Sequence, residues 1–469
     1  MKRFFRFVFI LIFLFAAIGK NNAGTIVLTD SSLQFKQVSL AGTFADDLIH
    51  YKNLSADESG RVVFITDSLV SGIYYLIYPD SSSIEFLFDQ TFEEKIHFKN
   101  SKEQGIQLIT SPSPVMEYHQ YNTQMVVLSI RLDSIRILLK QVDLKSREQQ
   151  NLLEERDRIY DWIDVLLKEM AKEGSSEFLR AFFKTKLVVE IPDFDLHDYK
   201  GDKDSLLWVM QREYYTKHFL DRLDLADYRL LHTPAYTSMV NEYLDKVLPQ
   251  QIEILTQTVN RMIESASRSE NTYAFLSQYL LKKYSLLKNT EPYESVYLYL
   301  IEQYFLQKTH PSATNNDVLL LTKEHNSRKP LLIGQPAPTL KLSDENGKVI
   351  DTDSIQSKYL LLYFYQTDCE LCQQTTPQMK KLSWLNKNDS LTVVSVCMGT
   401  NNESCKNYIQ KNGLTNWVNL MDENQIHLIA NSYNLRYTPC LYLLDSEKKI
   451  RAKNITVQQL EDILEESER

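Results

Sequence analysis

Cys369-Glu370-Leu371-Cys372 is the one group of residues in this chain whose types and spacing carry chemistry on their own. Two thiols separated by two residues can meet within one helical turn. The apolar run Tyr359 to Tyr365 just before them is continuous and β-prone, and reads as a buried strand. After them, Gln373 to Asn386 carries Met379, Leu382 and Leu385 at helical spacing. The cysteines therefore fall at a strand-to-helix junction, where the positive end of the helix favours a thiolate at Cys369. That is the geometry of a reversible dithiol/disulfide.

Other chemistries fit less well. A zinc site needs four ligands, and Cys397, Cys405 and Cys440 are scattered, with His427 the single histidine after residue 330. No metal, flavin or nucleotide site is evident, so no cofactor beyond the Cys369–Cys372 couple is expected. A purely structural disulfide across so small a ring adds little loop-closure stability. Thr438-Pro439 leads into the apolar strand Cys440 to Leu444, where a proline is normally excluded, and a cis peptide there places the Thr438 backbone beside the dithiol. Pro377 lies inside the helix that follows Cys372 and should kink it. Cys397 reads as core. Cys405 lies on a following helix from which it can approach Cys397. Cys440 is read as a buried strand cysteine pointing away from the dithiol, with a third redox thiol as the other reading.

The elements around this site divide the chain of 469 residues into about three domains of ~150 residues each. Residues 1–19 read as a cleaved secretory signal: a basic lead, Met1 to Arg6, then an apolar stretch shorter than the ~20 residues of a membrane span. Export puts a dithiol in an oxidising compartment. Residues 24–110 show short strands at Val27-Leu28, Gln37–Leu40, Leu48–Tyr51, Val62–Ile65, Ile73–Tyr78, Ile84–Phe88 and Ile96–Phe98, which suggests a β-sandwich. Ser111-Pro112-Ser113-Pro114 reads as a linker. Residues 111–329 then turn helical in period, most clearly at 151–172, 204–223, 238–248, 252–267, 272–287 and 294–307. Lys323 to Pro330 reads as the next boundary. Residues 330–469 alternate strand and helix, which means a sheet covered on both faces. The net charge of −9 with no basic block argues against a nucleic-acid partner.

The last ~140 residues resemble the thioredoxin superfamily, and most closely the exported TlpA/ResA-type thiol-disulfide oxidoreductases. The likeness rests on Ile333-Gly334-Gln335-Pro336-Ala337-Pro338, the strand–CxxC–helix unit, Pro377 and Thr438-Pro439. Upstream, Gly60-Arg61-Val62-Val63-Phe64 and Ser71-Gly72-Ile73-Tyr74 resemble the β-domain that precedes many envelope thioredoxin-like proteins. Tyr214 to Phe219 and Arg229 to Pro234 resemble a helical family domain of unknown function. The whole therefore reads as multidomain: β-sandwich, all-α domain, then an α/β thioredoxin-like domain.

The resemblance implies Cys369 as the attacking thiolate, Cys372 as the resolving thiol, and Thr438 with Pro439 as the substrate-pairing backbone. It also implies disulfide-containing envelope proteins as substrates, a membrane-embedded electron donor, and the periplasm or cell envelope of a Gram-negative bacterium as location. Three positions depart from the family pattern: Tyr363 and Thr375 stand where a buried acid is common, and Asp368 replaces a common tryptophan. The peroxidase pattern is not met, since Gln366 and Leu362 stand at its Thr/Ser and Pro positions. Asp368 and Glu370 flank Cys369 and should tune the couple, because acidic neighbours disfavour the thiolate and make the protein a better reductant. The competing expectation is a non-enzymatic envelope binding or assembly protein with a vestigial dithiol.

Overall fold

The computed structural model describes residues 24–467 except 93–94, 102, 104, 144, 198 and 383–389. The expected signal segment, 1–19, lies outside the described residues. The chain divides into two compact units, one through Leu248 and one from Pro249.

The first unit opens with eight strands: β1 (Thr25–Asp30), β2 (Gln37–Phe44), β3 (Asp47–Ser55), β4 (Arg61–Ile65), β5 (Gly72–Ile77), β6 (Ser83–Phe88), β7 (Ile96–Ser101) and β8 (Gly105–Thr110). They form two four-stranded sheets, β4-β1-β7-β8 and β3-β2-β5-β6. Alternation dictates what is buried: β4 turns Val62 and Phe64 inward while Arg61, Val63 and Ile65 face out. The inward residues of both sheets make one core with Ile26, Leu40, Tyr74, Phe86 and Phe98. Strand β8 has mostly exposed side chains.

Helices follow: α1 (Ser113–Leu138), α2 (Arg147–Glu173), α3 (Glu177–Lys184), α4 (Lys203–His218) and α5 (Ala235–Glu242) in the first unit, then α6 (Ile252–Ala266), α7 (Glu270–Leu287), α8 (Tyr293–Leu300) and α9 (Asn315–Arg328) in the second. Ser146, Ser176, Asp202, Ser269 and Thr314 each accept a backbone N–H at the start of a helix, which fixes where α2, α3, α4, α7 and α9 begin. The expected linker 111–114 and the expected boundary 323–330 both run partly in helix. Ser113 and Pro114 open α1, because proline is tolerated in a first turn where its missing N–H would be unpaired anyway. Lys323 to Arg328 complete α9, whose Leu321 and His325 are buried. The helices read at 238–248 and 294–307 end in π-turns, Tyr243–Val247 and Ile301–Leu306.

His232 is buried in the first unit, with the rings of Phe44 and Tyr228 edge-on at 5.2 Å each. The His232 backbone comes so close to β5 that a Cβ on Gly72 would sit 2.7 Å from its carbonyl oxygen, so only glycine fits. Neither ring nitrogen has a hydrogen-bond partner among the described residues. Burial accordingly pushes the imidazole from 6.5 down to about 4. The folded state keeps His232 neutral while the unfolded chain takes a proton below its ordinary value. Stability therefore falls as pH drops from 6.5 to about 4, by up to ~3 kcal/mol. His232→Leu should flatten the pH dependence of the urea midpoint across that window; a slope identical to the parent's would contradict this account.

The second unit ends in an α/β domain: β9 (Lys341–Asp344), β10 (Val349–Asp351), β11 (Tyr359–Tyr365), α10 (Glu370–Met379), β12 (Leu391–Cys397), α11 (Asn402–Asn412), β13 (Val418–Met421), α12 (Ile426–Ser432), β14 (Cys440–Asp445), β15 (Ile450–Lys453) and α13 (Val457–Glu466). The seven strands run β10-β9-β13-β12-β11-β14-β15. β11 lies between β12, parallel, and β14, antiparallel. It is buried on both faces: Leu361, Tyr363 and Tyr365 enter one core layer, and Leu360, Leu362 and Phe364 the other. The 333–338 segment starts in a turn at Gly334 and then runs beside the start of β15, with Gly334 N–H on Ile450 O (2.7 Å) and Ala337 N–H on Lys448 O, just before that strand (2.9 Å).

Candidate functional site: a dithiol at the start of α10

Strand β11 ends at Tyr365, and its central place in the sheet fixes where the next residues emerge. Cys369 is the N-cap of α10, and the Cys372 N–H donates to its Sγ at 3.2 Å. Cys369 is half-buried, Cys372 fully buried, and both are free thiols. The continuation of this helix expected to Asn386 falls partly on residues 383–389, outside the described residues; α10 itself ends at Met379 and contains Pro377.

From the other side comes the loop before β14. The Thr438–Pro439 peptide is cis. The Cys369 thiol donates to the Thr438 carbonyl at 3.3 Å, and the Thr438 hydroxyl donates to Gln366 Oε1 at 3.2 Å. The structure thus brings Cys369, Cys372, Thr438 and Pro439 into one place, although sixty-five residues lie between Cys372 and Thr438 in sequence.

The two sulfurs differ in kind. Burial works against the Cys369 thiolate, but hydrogen bonds from Cys372, Thr438 and the backbone N–H groups of Cys372 and Leu371 outweigh it and hold the thiol below its ordinary value. Burial, reinforced by the neighbouring Cys369 sulfur, pushes Cys372 up to about 12. Asp368 and Glu370 are both exposed, where water screens them. The upward push expected from these two acids is thus opposed by the donors at the start of α10, and the net direction at Cys369 is downward.

Below Cys372 lies a group of hydroxyls that the CxxC motif does not announce. The Thr376 hydroxyl sits 2.9 Å from the Tyr363 hydroxyl and 2.8 Å from that of Tyr408, and both phenols reach the Cys372 carbonyl at 3.3 Å. Three neutral hydroxyls therefore occupy the space under the buried thiol, on the side where Tyr363 replaces a familiar acid. Thr376 was legible in principle, since it lies one turn beyond Cys372 on the same helix face. Tyr408 comes from α11 and has no such signal.

The remaining cysteines divide cleanly. Cys397 and Cys405 are disulfide-bonded and buried. A Cβ on Gly399 would lie 3.4 Å from both sulfurs and 3.9 Å from Thr367 Oγ1, so this bond backs the loop that leads to Cys369. Cys440 is buried in the opposite core layer from Cys372, with its thiol on Asn454 Oδ1 at 3.2 Å and burial pushing it up to about 12. Among the described residues no group of three or more His, Cys, Asp or Glu side chains could hold a metal ion.

Residues 333–453 match the AhpC/TSA family. The C-terminal domain is thioredoxin-like. ResA of Bacillus subtilis, a thiol-disulfide oxidoreductase, is 27% identical over 117 residues, which is 25% of this chain and 64% of the relative; this chain thus spans just under two thirds of that protein's length. A domain of a possible thiol-disulfide isomerase from Cytophaga hutchinsonii is 31% identical over 30% of this chain and 95% of its own, with a TM-score of 0.28. A thioredoxin-like protein from Bacteroides caccae is 21% identical, covers 59% of this chain and 97% of its own, and has a TM-score of 0.45. The family match covers the thioredoxin-like domain, where the dithiol sits.

Proposed function

We propose that this chain is an exported thiol-disulfide oxidoreductase that reduces disulfides of envelope proteins through Cys369 and Cys372. The observation that carries this reading is the asymmetry of the pair: a half-exposed, thiolate-prone Cys369 at a helix start, beside a buried Cys372 held neutral.

In the first step the Cys369 thiolate attacks one sulfur of the substrate disulfide. A Cys369–substrate disulfide forms, and the other substrate sulfur leaves as thiolate and takes a proton. Cys372 then loses its proton and attacks Cys369 Sγ, which releases the second substrate thiol and closes the Cys369–Cys372 disulfide. Two electrons pass from the protein to the substrate. Part of the upward push on Cys372 comes from Cys369 itself. That part disappears once Cys369 is in the mixed disulfide and carries no charge, so the resolving thiol becomes easier to ionise when it is needed. The backbone of Thr438 would pair with the extended substrate strand. Regeneration of the dithiol calls for a membrane-embedded donor of electron pairs. The basic and apolar lead at residues 1–19 supports export, and no helix among the described residues is long and apolar enough to cross a membrane.

The test is a redox titration of the mature protein in glutathione or dithiothreitol buffers, trapped with a thiol alkylator. One reversible two-electron transition is expected, absent in Cys369→Ser. A pair that never titrates would hand the protein to the non-enzymatic binding reading.

A further inference from the structure

A chain of alternating charges links the helices before the thioredoxin-like domain to both sides of the Thr438–Pro439 loop. Arg436 Nη2 lies 3.2 Å from Glu324 Oε2 on α9. The other oxygen of Glu324 takes Arg328 Nε at 2.7 Å and Lys288 Nζ at 2.6 Å. Arg328 Nη1 meets Glu294 Oε1 on α8 at 2.8 Å. Glu294 Oε2 faces Lys453 Nζ on β15 at 2.5 Å, an ion contact rather than an aligned hydrogen bond, while Lys453 also donates to the Leu331 carbonyl. The side chains of Glu294, Arg328 and Lys453 are only 3%, 4% and 6% exposed.

Buried ions are poor stabilisers, because desolvation consumes most of what pairing returns, but they tolerate only the arrangement in which every charge is matched. At its surface end, where Arg436 is 49% exposed, and at its buried end, at Lys453, this arrangement flanks the substrate-pairing loop. Arg436 stands two residues before Thr438. Lys453 adjoins Asn454, whose side-chain oxygen takes the thiol of Cys440, and Cys440 directly follows Pro439. The Asn454 N–H also bonds to the Leu441 carbonyl at 2.9 Å. The loop is thus gripped from before and behind, and its Thr438 carbonyl is the group that touches Cys369 Sγ.

We infer that α8 and α9 form a built-in clamp that positions the Thr438–Pro439 loop against Cys369 for protein substrates. This rests on the oxidoreductase reading above. Glu294, Glu324, Arg328, Arg436 and Lys453 are positioning residues: they act through the loop and leave the thiol chemistry to Cys369. A substrate that docks along the loop needs it in place, whereas a small disulfide that reaches Cys369 directly does not.

The experiment uses the full chain and its Arg436→Met and Arg436→Lys variants, which leave Glu324 paired with Lys288 and Arg328. With dithiothreitol as reductant, the rate of insulin reduction in Arg436→Met should fall about tenfold and return in Arg436→Lys. The rate at which pre-reduced protein, freed of dithiothreitol, reduces the small disulfide dithiobis(nitrobenzoate) in a single turnover should stay within about twofold. In parallel, amide hydrogen exchange at residues 437, 438 and 440 should speed up in Arg436→Met, with β11 unchanged. Equal loss on both substrates, no loss on insulin, or unchanged exchange in the loop would each overturn the clamp. If the parent protein reduces neither substrate, the oxidoreductase reading fails, and the exchange measurement decides the clamp by itself.

Discussion

Cys372→Ser protein mixed with oxidised insulin will accumulate a mixed disulfide through Cys369, and Cys369→Ser protein will accumulate none. The reason is the order of the two displacements. Cys369 is half-exposed with a stabilised thiolate, so it makes the first attack; Cys372 is fully buried and held neutral, so no substrate reaches it. With serine at 372 the second displacement has no thiolate, and the intermediate persists. Turnover in either variant should fall by at least about a thousandfold, because a hydroxyl is not ionised at neutral pH. Non-reducing gels with mass spectrometry of the adduct give the readout. Adducts through Cys372, or turnover surviving in Cys369→Ser, would show that the roles are wrongly assigned.

Alkylation of the reduced protein with iodoacetamide should be at least about a thousand times faster at Cys369 than at Cys372 at pH 7. Burial and the neighbouring Cys369 sulfur hold Cys372 well above its ordinary value, whereas the donors at the start of α10 hold Cys369 below it, so the thiolate sits on Cys369, and Cys372 is in addition closed off from solvent. The pH dependence carries the same sign. Cys369 labelling should level off once pH passes its lowered value, while Cys372 labelling should keep rising about tenfold per unit beyond pH 9. Residue-resolved mass spectrometry separates the two. Equal rates, or a plateau for Cys372 near neutrality, would mean that burial does not set its proton affinity.

The sequence was most informative where the signal is local. The continuous run at 359–365 announces β11 as a strand buried on both faces, and it is. The CxxC that follows must then lie where that strand meets a helix, and Thr438-Pro439 before the next apolar strand marks the loop that opposes it. In the β-sandwich β4 was legible because alternate residues turn inward, and β2 and β5 because they are nearly continuous apolar runs; β8 was not, since its side chains are largely exposed. The short strands β9, β10, β13 and β15, of three or four residues, gave too few positions for any period to show.

What no window of sequence carries is which distant groups meet. Tyr408 joins Tyr363 and Thr376 only because α11 packs over α10. Cys397 and Cys405 bond because the turn after β12 folds back at Gly399. Lys323 to Arg328, polar enough to read as a boundary, continues α9, and its Glu324 and Arg328 face opposite charges just past the end of α7, on α8 and in the loop before Thr438. Polarity in a sequence signals solvent unless a partner arrives from elsewhere, and that arrival is decided only in three dimensions. By itself, then, the sequence determined the dithiol, its strand and its helix, whose signals lie within a few residues of one another. The tertiary structure decided the unequal proton affinities of the two thiols and the grip on the loop beside them, because burial and ion pairing depend on neighbours far away in the chain.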